Sequence, residues 1–462
     1  MKKKTKKAKR SFDHRVVKKK PDQTLASPPP EMKKKMKKKA KRSFDHRVVA
    51  STAGCADLGD GKVKSSTDYG QPVYLVWPLL SGQPTFSVFM VEAAAALADG
   101  ADPPRARTVA GIPGARRGMS FVATHSVQGS WIVGVGGKEG NTVIYDPSAM
   151  KTFEGPELSY PKHQPILISL DSKVYAISRR PTVYDKKYDF VPWFESLSFK
   201  KGVPGISGEK FSFWKALPPP PFFPFMLDPL EYCNPPTVSV SSYAAFGSHI
   251  LLSPDCKETG TYAFHVVEET WEKVCNNNMP FVGQAVALGG GLFAACSTIH
   301  NNFATAAIVF RMSIIKGSSI PGASVKLIVR SLSTLPLASM GDPPLPLLCP
   351  AGKGSFCSIK LGQGFCEGKD HVQIILTAFK IDNIEAVLTA SQTEHADASV
   401  LQLPVEVHHQ NQTYLLEAPF PFKNPCMPVI ALLSMDRELA EPFEVERSKK
   451  KAREWFSLWR VG

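Results

Sequence analysis

The amino-acid sequence predicts an all-β body built from repeated small sheets, and three observations predict it. Residues 130–153 read as strand, Gly-Gly turn, strand and a turn opened by Asp146-Pro147. A Gly, Asp or Ser turn that runs straight into an apolar strand recurs along the chain. An outer strand that ends in a large apolar side chain and is followed by proline also recurs. Repeats of this kind indicate one sheet built several times.

The recurring turn predicts the number of sheets. Copies begin near residues 71, 129, 171, 247, 290 and 353, and the shortest spacings are about 42 or 43 residues. Four short strands and their turns need about that length, which is one blade of a β-propeller. The sequence therefore predicts a β-propeller of six blades over residues 66–435, with aromatic side chains filling the space between blades. These aromatics are Tyr145, Phe153, Trp214, Phe264 and Trp271.

One blade resembles a kelch repeat, in which a Gly-Gly pair is followed by a tyrosine and a tryptophan. The match lies at Gly136, Gly137 and Tyr145, with Phe153 where tryptophan is usual. The body is also similar to an uncharacterised plant family of kelch-like propellers that is numerous in grasses. Residues 121–126, 175–181, 193–199 and 280–285 carry this likeness, which covers about residues 66–385. The resemblance implies a fold and no established activity.

The excess positive charge is confined to the N-terminus. The chain has a net charge of +15, residues 1–49 contribute +16 and the remainder −1. Residues 6–17 are repeated letter for letter at 38–49. Because like charges repel and few apolar residues are present, we expect residues 1–65 to be a disordered basic arm. The basic residues typical of a nuclear-import signal are Lys6, Lys7, Lys9, Arg10, Lys38, Lys39, Lys41 and Arg42.

Other roles for the basic arm stay open. Its lysines could contact nucleic-acid phosphates without reading sequence, or an anionic membrane surface, or the arm could be dispensable. The lysine-rich start is not followed by an apolar segment, and no apolar run approaches the ~20 residues of a membrane span. We therefore expect a chain that is not secreted and has no membrane span, in the nucleus or cytoplasm, with its nine cysteines reduced.

The remaining elements follow from local patterns. Residues 73–77 and 85–91 read as strands, and alanine-rich residues 93–98 as a loop with at most one helical turn. Residues 372–379, 400–407 and 413–416 are predicted strands that complete the last blade or close the ring. Residues 436–462 are predicted to form a helical tail with basic and aromatic side chains, docked on the propeller or binding a membrane surface or partner.

No catalytic or metal-binding motif stands out, so the sequence predicts no cofactor and no small-molecule substrate. Cys349, Cys357 and Cys366 have spacings unlike a zinc knuckle and are expected to fill the core. Two arginine pairs, 116–117 and 179–180, could form a basic rim or simply be solvated.

The proline-rich loop is the most conspicuous connection in the body. It consists of Pro218, Pro219, Pro220, Pro221, Phe222 and Phe223. A polyproline segment can bind an aromatic groove of a partner. The interpretation that we favour is a rigid connection whose phenylalanines pack inward.

These features favour a non-enzymatic protein-interaction scaffold that binds partners of unknown identity through its loops, with an import receptor on the arm. Two alternatives belong to other classes. The basic arm could make the chain a nucleic-acid-associated protein, whose binding would fall steeply with salt. Some kelch propellers are metal-dependent oxidases, but this sequence offers no recognisable ligand set for such a site.

Overall fold

The computed structural model describes residues 72–78, 86–92, 107–126, 128–183, 190–199, 213–224, 227–234, 236, 238–256, 259–299, 303–317, 324–337, 347–366, 369–393 and 404–416. The predicted basic arm, the alanine-rich segment at 93–98 and the predicted tail at 436–462 lie outside these residues. The described chain is mostly β-strand, as the sequence predicts, and nearly all of its strands pair antiparallel.

The first two sheets are antiparallel meanders. The first has three strands, β1 (Pro72–Pro78), β2 (Phe86–Glu92) and β3 (Arg107–Gly111), in the order β1-β2-β3. The second has four, β4 (Met119–Ser126), β5 (Gly129–Gly136), β6 (Asn141–Asp146) and β7 (Lys151–Gly155), also in chain order. β1 and β2 confirm the strands predicted at 73–77 and 85–91.

The third sheet repeats this meander, and the fourth contains it twice. The third is β8 (Ile166–Leu170), β9 (Lys173–Ile177), β10 (Phe194–Ser198) and β11 (Lys215–Leu217). The helix α1 (Pro229–Cys233) follows it. The eight-stranded fourth sheet is β12 (Val240–Phe246), β13 (His249–Pro254), β14 (Thr261–His265), β15 (Thr270–Cys275), β16 (Val282–Gly289), β17 (Leu292–Ile299), β18 (Phe303–Lys316) and β19 (Val325–Pro336).

The last sheet is a further four-stranded meander. It consists of β20 (Leu347–Pro350), β21 (Ser355–Cys366), β22 (Lys369–Ile381) and β23 (Val407–Leu416), with the helix α2 (Ile384–Thr393) between the last two strands. β22 contains the strand predicted at 372–379, and the end of β23 contains the one predicted at 413–416.

The first strands of successive four-stranded groups lie side by side. β4 neighbours β8, β8 neighbours β12, β12 neighbours β16 and β16 neighbours β20. β12 and β16 pair in parallel, which joins two groups into the eight-stranded sheet. The Ser169 hydroxyl of β8 donates to the Thr124 hydroxyl of β4 at 2.8 Å. The four-stranded groups thus follow one another in chain order, and the first strand of each lies beside the first strand of the next.

The core lies between consecutive groups of strands. One hydrophobic cluster combines Val76 and Phe86 of the first sheet with Phe121 and Tyr145 of the second. Clusters of the same kind join each described group to the next. Each group between the first and the last is therefore buried on two faces, which explains why its strands are apolar without strict alternation.

The recurring turn of the sequence lies before the second strand of each four-stranded group. Asp171, Gly247, Gly290 and Gly354 all adopt positive φ there, at 52°, 57°, 58° and 67°. Glycine adopts this conformation without steric cost, and aspartate tolerates it better than most residues. A tight turn with this backbone shape therefore produces the period seen in the sequence.

Two features differ from the sequence prediction. The strand predicted at 400–407 is wrong in its described part, because β23 begins only at Val407. The amide of Asn383 explains the difference, since its Nδ2 donates to the Pro404 carbonyl at 2.7 Å and its Oδ1 accepts from the Glu406 N–H at 3.1 Å. These bonds fold the segment against the start of α2. The helices α1 and α2 were not predicted.

Candidate functional site

The Gly-Gly pair at the end of β5 forms a close crossing of loops. Gly136 and Gly137 have φ of 114° and 83°, and the Gly137 N–H donates to the carbonyls of Gly118 and Lys162, both at 3.0 Å. A Cβ at Gly136 would lie 2.5 Å from the Lys162 carbonyl oxygen. Only glycine fits this crossing, so the pair serves the packing of loops at this end of the sheet.

Backbone bonds join the loops on this side of the second and third sheets. The Gly118 carbonyl also accepts from the Gln164 N–H at 2.6 Å, and the Gln164 carbonyl accepts from the Arg179 side-chain Nε at 2.7 Å. The β3–β4, β5–β6, β7–β8 and β9–β10 connections therefore meet in one network. Each of these bonds restrains one loop relative to another.

Exposed arginines project from these joined loops. We call them the basic rim, which consists of Arg116, Arg117, Arg179 and Arg180. The exposed Lys138 lies beside Gly137, and two exposed acids, Glu139 and Glu157, lie in the same connections. The Glu139 carboxylate accepts from the Asn141 side-chain amide at 2.9 Å. The basic rim therefore carries net positive charge on a body whose sequence is close to neutral.

A buried ion pair supports the loop beneath the basic rim. The side chains of Lys162 and Glu195 are both fully buried and hydrogen-bond to each other, and Glu195 also accepts from the Ser159 N–H at 3.0 Å. Burial lowers the pKa of Lys162, and the attraction of Glu195 opposes that shift. Because both charges are paired and buried, they fix the loop and are not available to a ligand.

The tryptophans predicted to fill gaps between blades also make equivalent hydrogen bonds. The Trp214 indole N–H donates to the Pro156 carbonyl at 3.0 Å, and that of Trp271 donates to the Pro218 carbonyl at 2.8 Å. Each proline directly follows the last strand of the preceding group. Trp214 also donates to the Thr142 hydroxyl at 3.0 Å. These bonds connect successive sheets at the same position of the repeat.

The other aromatics of the repeat pack in the core clusters. Tyr145 and Phe264 are fully buried, and Phe153 is half-buried against the cluster between the second and third sheets. The Phe264 and Trp271 rings are 5.0 Å apart. Burial is the main cause of a raised pKa at Tyr145. Its hydroxyl has no hydrogen-bond partner among the described residues.

The proline-rich loop packs inward with its phenylalanines. Phe223 is buried with its ring 4.9 Å from that of Trp193, and Phe222 is half-buried with its ring 5.3 Å from that of Tyr262. Of the four prolines, Pro220 is buried, Pro219 is half-buried, and Pro218 and Pro221 are exposed. This arrangement leaves two prolines, rather than the aromatic rings, on the surface of the loop.

Two of the three cysteines expected to fill the core, Cys349 and Cys357, are described with their side chains. Cys349 and Cys357 are buried and lie opposite each other on β20 and β21. Burial raises the pKa of Cys357 to about 12. The structure does not describe the side chain of Cys366. In the part of the chain that the structure describes, no three His, Cys, Asp or Glu side chains come together in an arrangement that could hold a metal ion.

A family model described as "Protein of unknown function (DUF1668)" matches residues 80–402, which is more than half of the chain. The chain belongs to the DUF1668 family. No curated protein matches it. The DUF1668 match includes every loop of the basic rim and leaves the predicted basic arm outside. No helix in the described ranges is long and apolar enough to cross a membrane.

Sequence reasoning identified both arginine pairs of this DUF1668 chain but not the ion pair beneath them. The signal for Glu195 was present, since it is a lone acid inside the aromatic-rich stretch 193–199. Lys162 carries no such signal, because a lysine between Pro161 and His163 resembles any loop residue. The import lysines and arginines at 6–10 and 38–42 lie outside the described residues.

Proposed function

We propose that the body is a kelch-like β-propeller of six blades, with β1–β3 belonging to the first of them, similar to the plant family named above. The adjacency of equivalent first strands supports this proposal, because neighbouring blades of a propeller meet along their inner strands. The core clusters between consecutive groups support it as well. The matching tryptophan bonds to Pro156 and Pro218 repeat one contact between blades.

We infer that the protein is a non-enzymatic interaction scaffold whose partner binds to loops at one end of the sheets. The observation that carries this inference is the network joining Gly118, Gly137, Gln164 and Arg179, which holds exposed arginines on restrained loops. A restrained loop loses little conformational entropy on binding, so its side chains contribute more of their interaction energy to affinity. Binding residues are commonly found on loops positioned by a rigid scaffold.

We also infer that the basic arm contains a nuclear-import signal, so that the scaffold works in the nucleus. The observation behind this inference is the segregation of charge, +16 on residues 1–49 against −1 on the rest. The duplicated cluster has the composition that an import receptor recognises.

The scaffold proposal is tested by affinity capture of the tagged full-length protein from tissue that expresses it, read by quantitative mass spectrometry. We expect a small set of proteins enriched over a tag-only control and retained after nuclease treatment. Loss of every enriched protein on nuclease treatment would support the nucleic-acid alternative. Purified protein that carries stoichiometric metal and consumes oxygen would contradict the non-enzymatic assignment.

A further inference from the structure

We propose that the basic rim binds an acidic segment of a partner protein, a run of Asp and Glu side chains in extended conformation. This inference rests on the proposed scaffold function and names the chemistry of its partner. Its starting point is the group of four exposed guanidinium groups on loops that the Gly118 and Gln164 carbonyls hold together.

The chemistry of arginine favours carboxylate ligands. A guanidinium group presents five N–H donors in a planar fork that matches the two oxygens of a carboxylate. Arg179 donates its Nε–H to the Gln164 carbonyl, which restrains the orientation of the guanidinium group. The other four N–H donors of Arg179 take no part in that bond. The orientation of Arg179 is therefore set before a ligand arrives.

The nearby acids do not cancel the charge of the basic rim. Glu195 is occupied by Lys162 and Ser159 inside the protein. Among the described residues of these connections, the exposed acids Glu139 and Glu157 number two against four arginines and Lys138. The excess of positive charge therefore has to be balanced by solvent ions or by a partner. Release of those ions favours an acidic partner at low salt.

An acidic peptide fits the basic rim better than a nucleic acid does. The body from residue 50 onward has a net charge of −1, so it lacks the overall positive charge that attracts a phosphate backbone at long range. The exposed large hydrophobic side chains in the described ranges are Met150, Phe213 and Val267. None of them lies in the loops of the basic rim, whereas single-stranded nucleic acids are bound on aromatic stacking platforms.

The test uses the full-length protein and fluorescence anisotropy of a labelled Glu/Asp peptide, with the Gln/Asn peptide of equal length as the uncharged probe. The rim variant combines Arg116→Gln, Arg117→Gln and Arg180→Gln, and leaves Arg179 in place because it joins two loops. The control variant combines Lys151→Gln, Lys316→Gln and Lys326→Gln, which removes the same charge from exposed lysines elsewhere. Circular dichroism and thermal melting verify that both variants fold.

We expect the rim variant to bind the acidic peptide about ten-fold more weakly than the control variant, with a smaller dependence on salt. The basic arm also attracts acidic peptides, so the binding position is mapped directly. A photo-crosslinking acidic peptide should label the loops at 112–118 and 178–183. Equal affinity of the two variants, or crosslinks confined to residues 1–49, would overturn the proposal.

Nucleic acid is an explicit outcome of the same experiment. A single-stranded RNA of equal charge that displaces the peptide from the wild type and binds the rim variant more weakly would assign the basic rim to nucleic acid and overturn this proposal.

Affinity capture distinguishes failure of the acidic-peptide site from failure of the scaffold proposal. If the rim variant captures the same proteins as the wild type, the acidic-peptide site is wrong and the scaffold stands. If neither captures a protein, the scaffold proposal fails independently of the peptide measurement.

Discussion

Gly136 is the residue at which backbone shape and packing constrain the chain most strongly. Its φ of 114° is unfavourable for other residues, and a Cβ would meet the Lys162 carbonyl at 2.5 Å. We expect Gly136→Ala to lower the free energy of unfolding by about 2–4 kcal/mol, since strain and a backbone clash add. Urea denaturation followed by intrinsic fluorescence measures the change.

Gly317 is the matched control for that substitution. It also has positive φ, at 83°, but a Cβ there meets no described atom within 4 Å. Gly317→Ala should therefore cost only the backbone strain, about 1 kcal/mol. A Gly136→Ala variant no less stable than Gly317→Ala would show that the crossing over Lys162 is not tight.

The Lys162–Glu195 pair gives a second prediction at this scale. In Glu195→Gln the Lys162 ammonium group would be buried without a counter-charge, so we expect a loss of about 3–5 kcal/mol, measured by urea denaturation. The same change should lower the pKa of Lys162 further, because only the opposing attraction is removed.

The double variant Lys162→Met with Glu195→Leu tests whether the cost comes from the uncompensated charge. Removing both charges should recover much of the stability lost in Glu195→Gln, because no buried ion then lacks a partner. A double variant as unstable as the single one would instead indicate that the loop depends on the specific hydrogen bond to the Ser159 N–H.

Residues that repeat could be predicted from the sequence, and residues that act through tertiary contact could not. The Gly136-Gly137 turn was visible because it follows a strand and precedes another. The link between Gly118 and Gln164 was not, since it joins positions 46 residues apart through backbone atoms that every residue has. Only the packed loops bring those groups together.

At the scale of elements, the tryptophans at the start of the fourth strands connect one sheet to the next. Trp214→Phe keeps an aromatic ring but removes the N–H that satisfies the Pro156 carbonyl and the Thr142 hydroxyl. We expect a loss of about 2–3 kcal/mol, because a buried acceptor loses its donor and the smaller ring leaves a gap. Thermal unfolding followed by circular dichroism measures the loss.

Trp193 gives a control of equal ring size. It is buried, and its indole N–H has no hydrogen-bond partner among the described residues. Trp193→Phe therefore removes the same volume and no hydrogen bond, so it should cost less than Trp214→Phe. Equal costs would mean that the bond to Pro156 contributes nothing beyond packing.

Most elements with a strong local signal were predicted, and those set by distant contacts were not. The second strands follow tight turns, and the sequence marks them with Gly, Asp or Ser. Apolar residues alternate over 401–407 as in a strand, but Pro404 and Glu406 hydrogen-bond to the side chain of Asn383 instead. α2 does carry a helical signal, with Ile384, Val387 and Leu388 at i, i+3 and i+4, and the sequence prediction missed it.

At the scale of the whole molecule, basic side chains are concentrated in two regions, and the two regions differ in the kind of basic residue. The predicted basic arm carries lysine-rich clusters, whereas the basic rim carries arginines on restrained loops. Lysine is a compact and flexible point charge, and arginine is a planar fork suited to carboxylates. This difference supports two separate partners, an import receptor for the arm and an acidic segment for the rim.

The predicted import role leads to a localisation experiment on the full-length protein fused to a fluorescent protein. Replacing Lys6, Lys7, Lys9, Arg10, Lys38, Lys39, Lys41 and Arg42 by glutamine should shift the fusion from nucleus to cytoplasm. Replacing the six lysines of this set by arginine preserves the charge and should leave the fusion nuclear, because import receptors recognise basic clusters. A wild-type fusion already in the cytoplasm, or a glutamine variant that stays nuclear, would show that these clusters do not direct import.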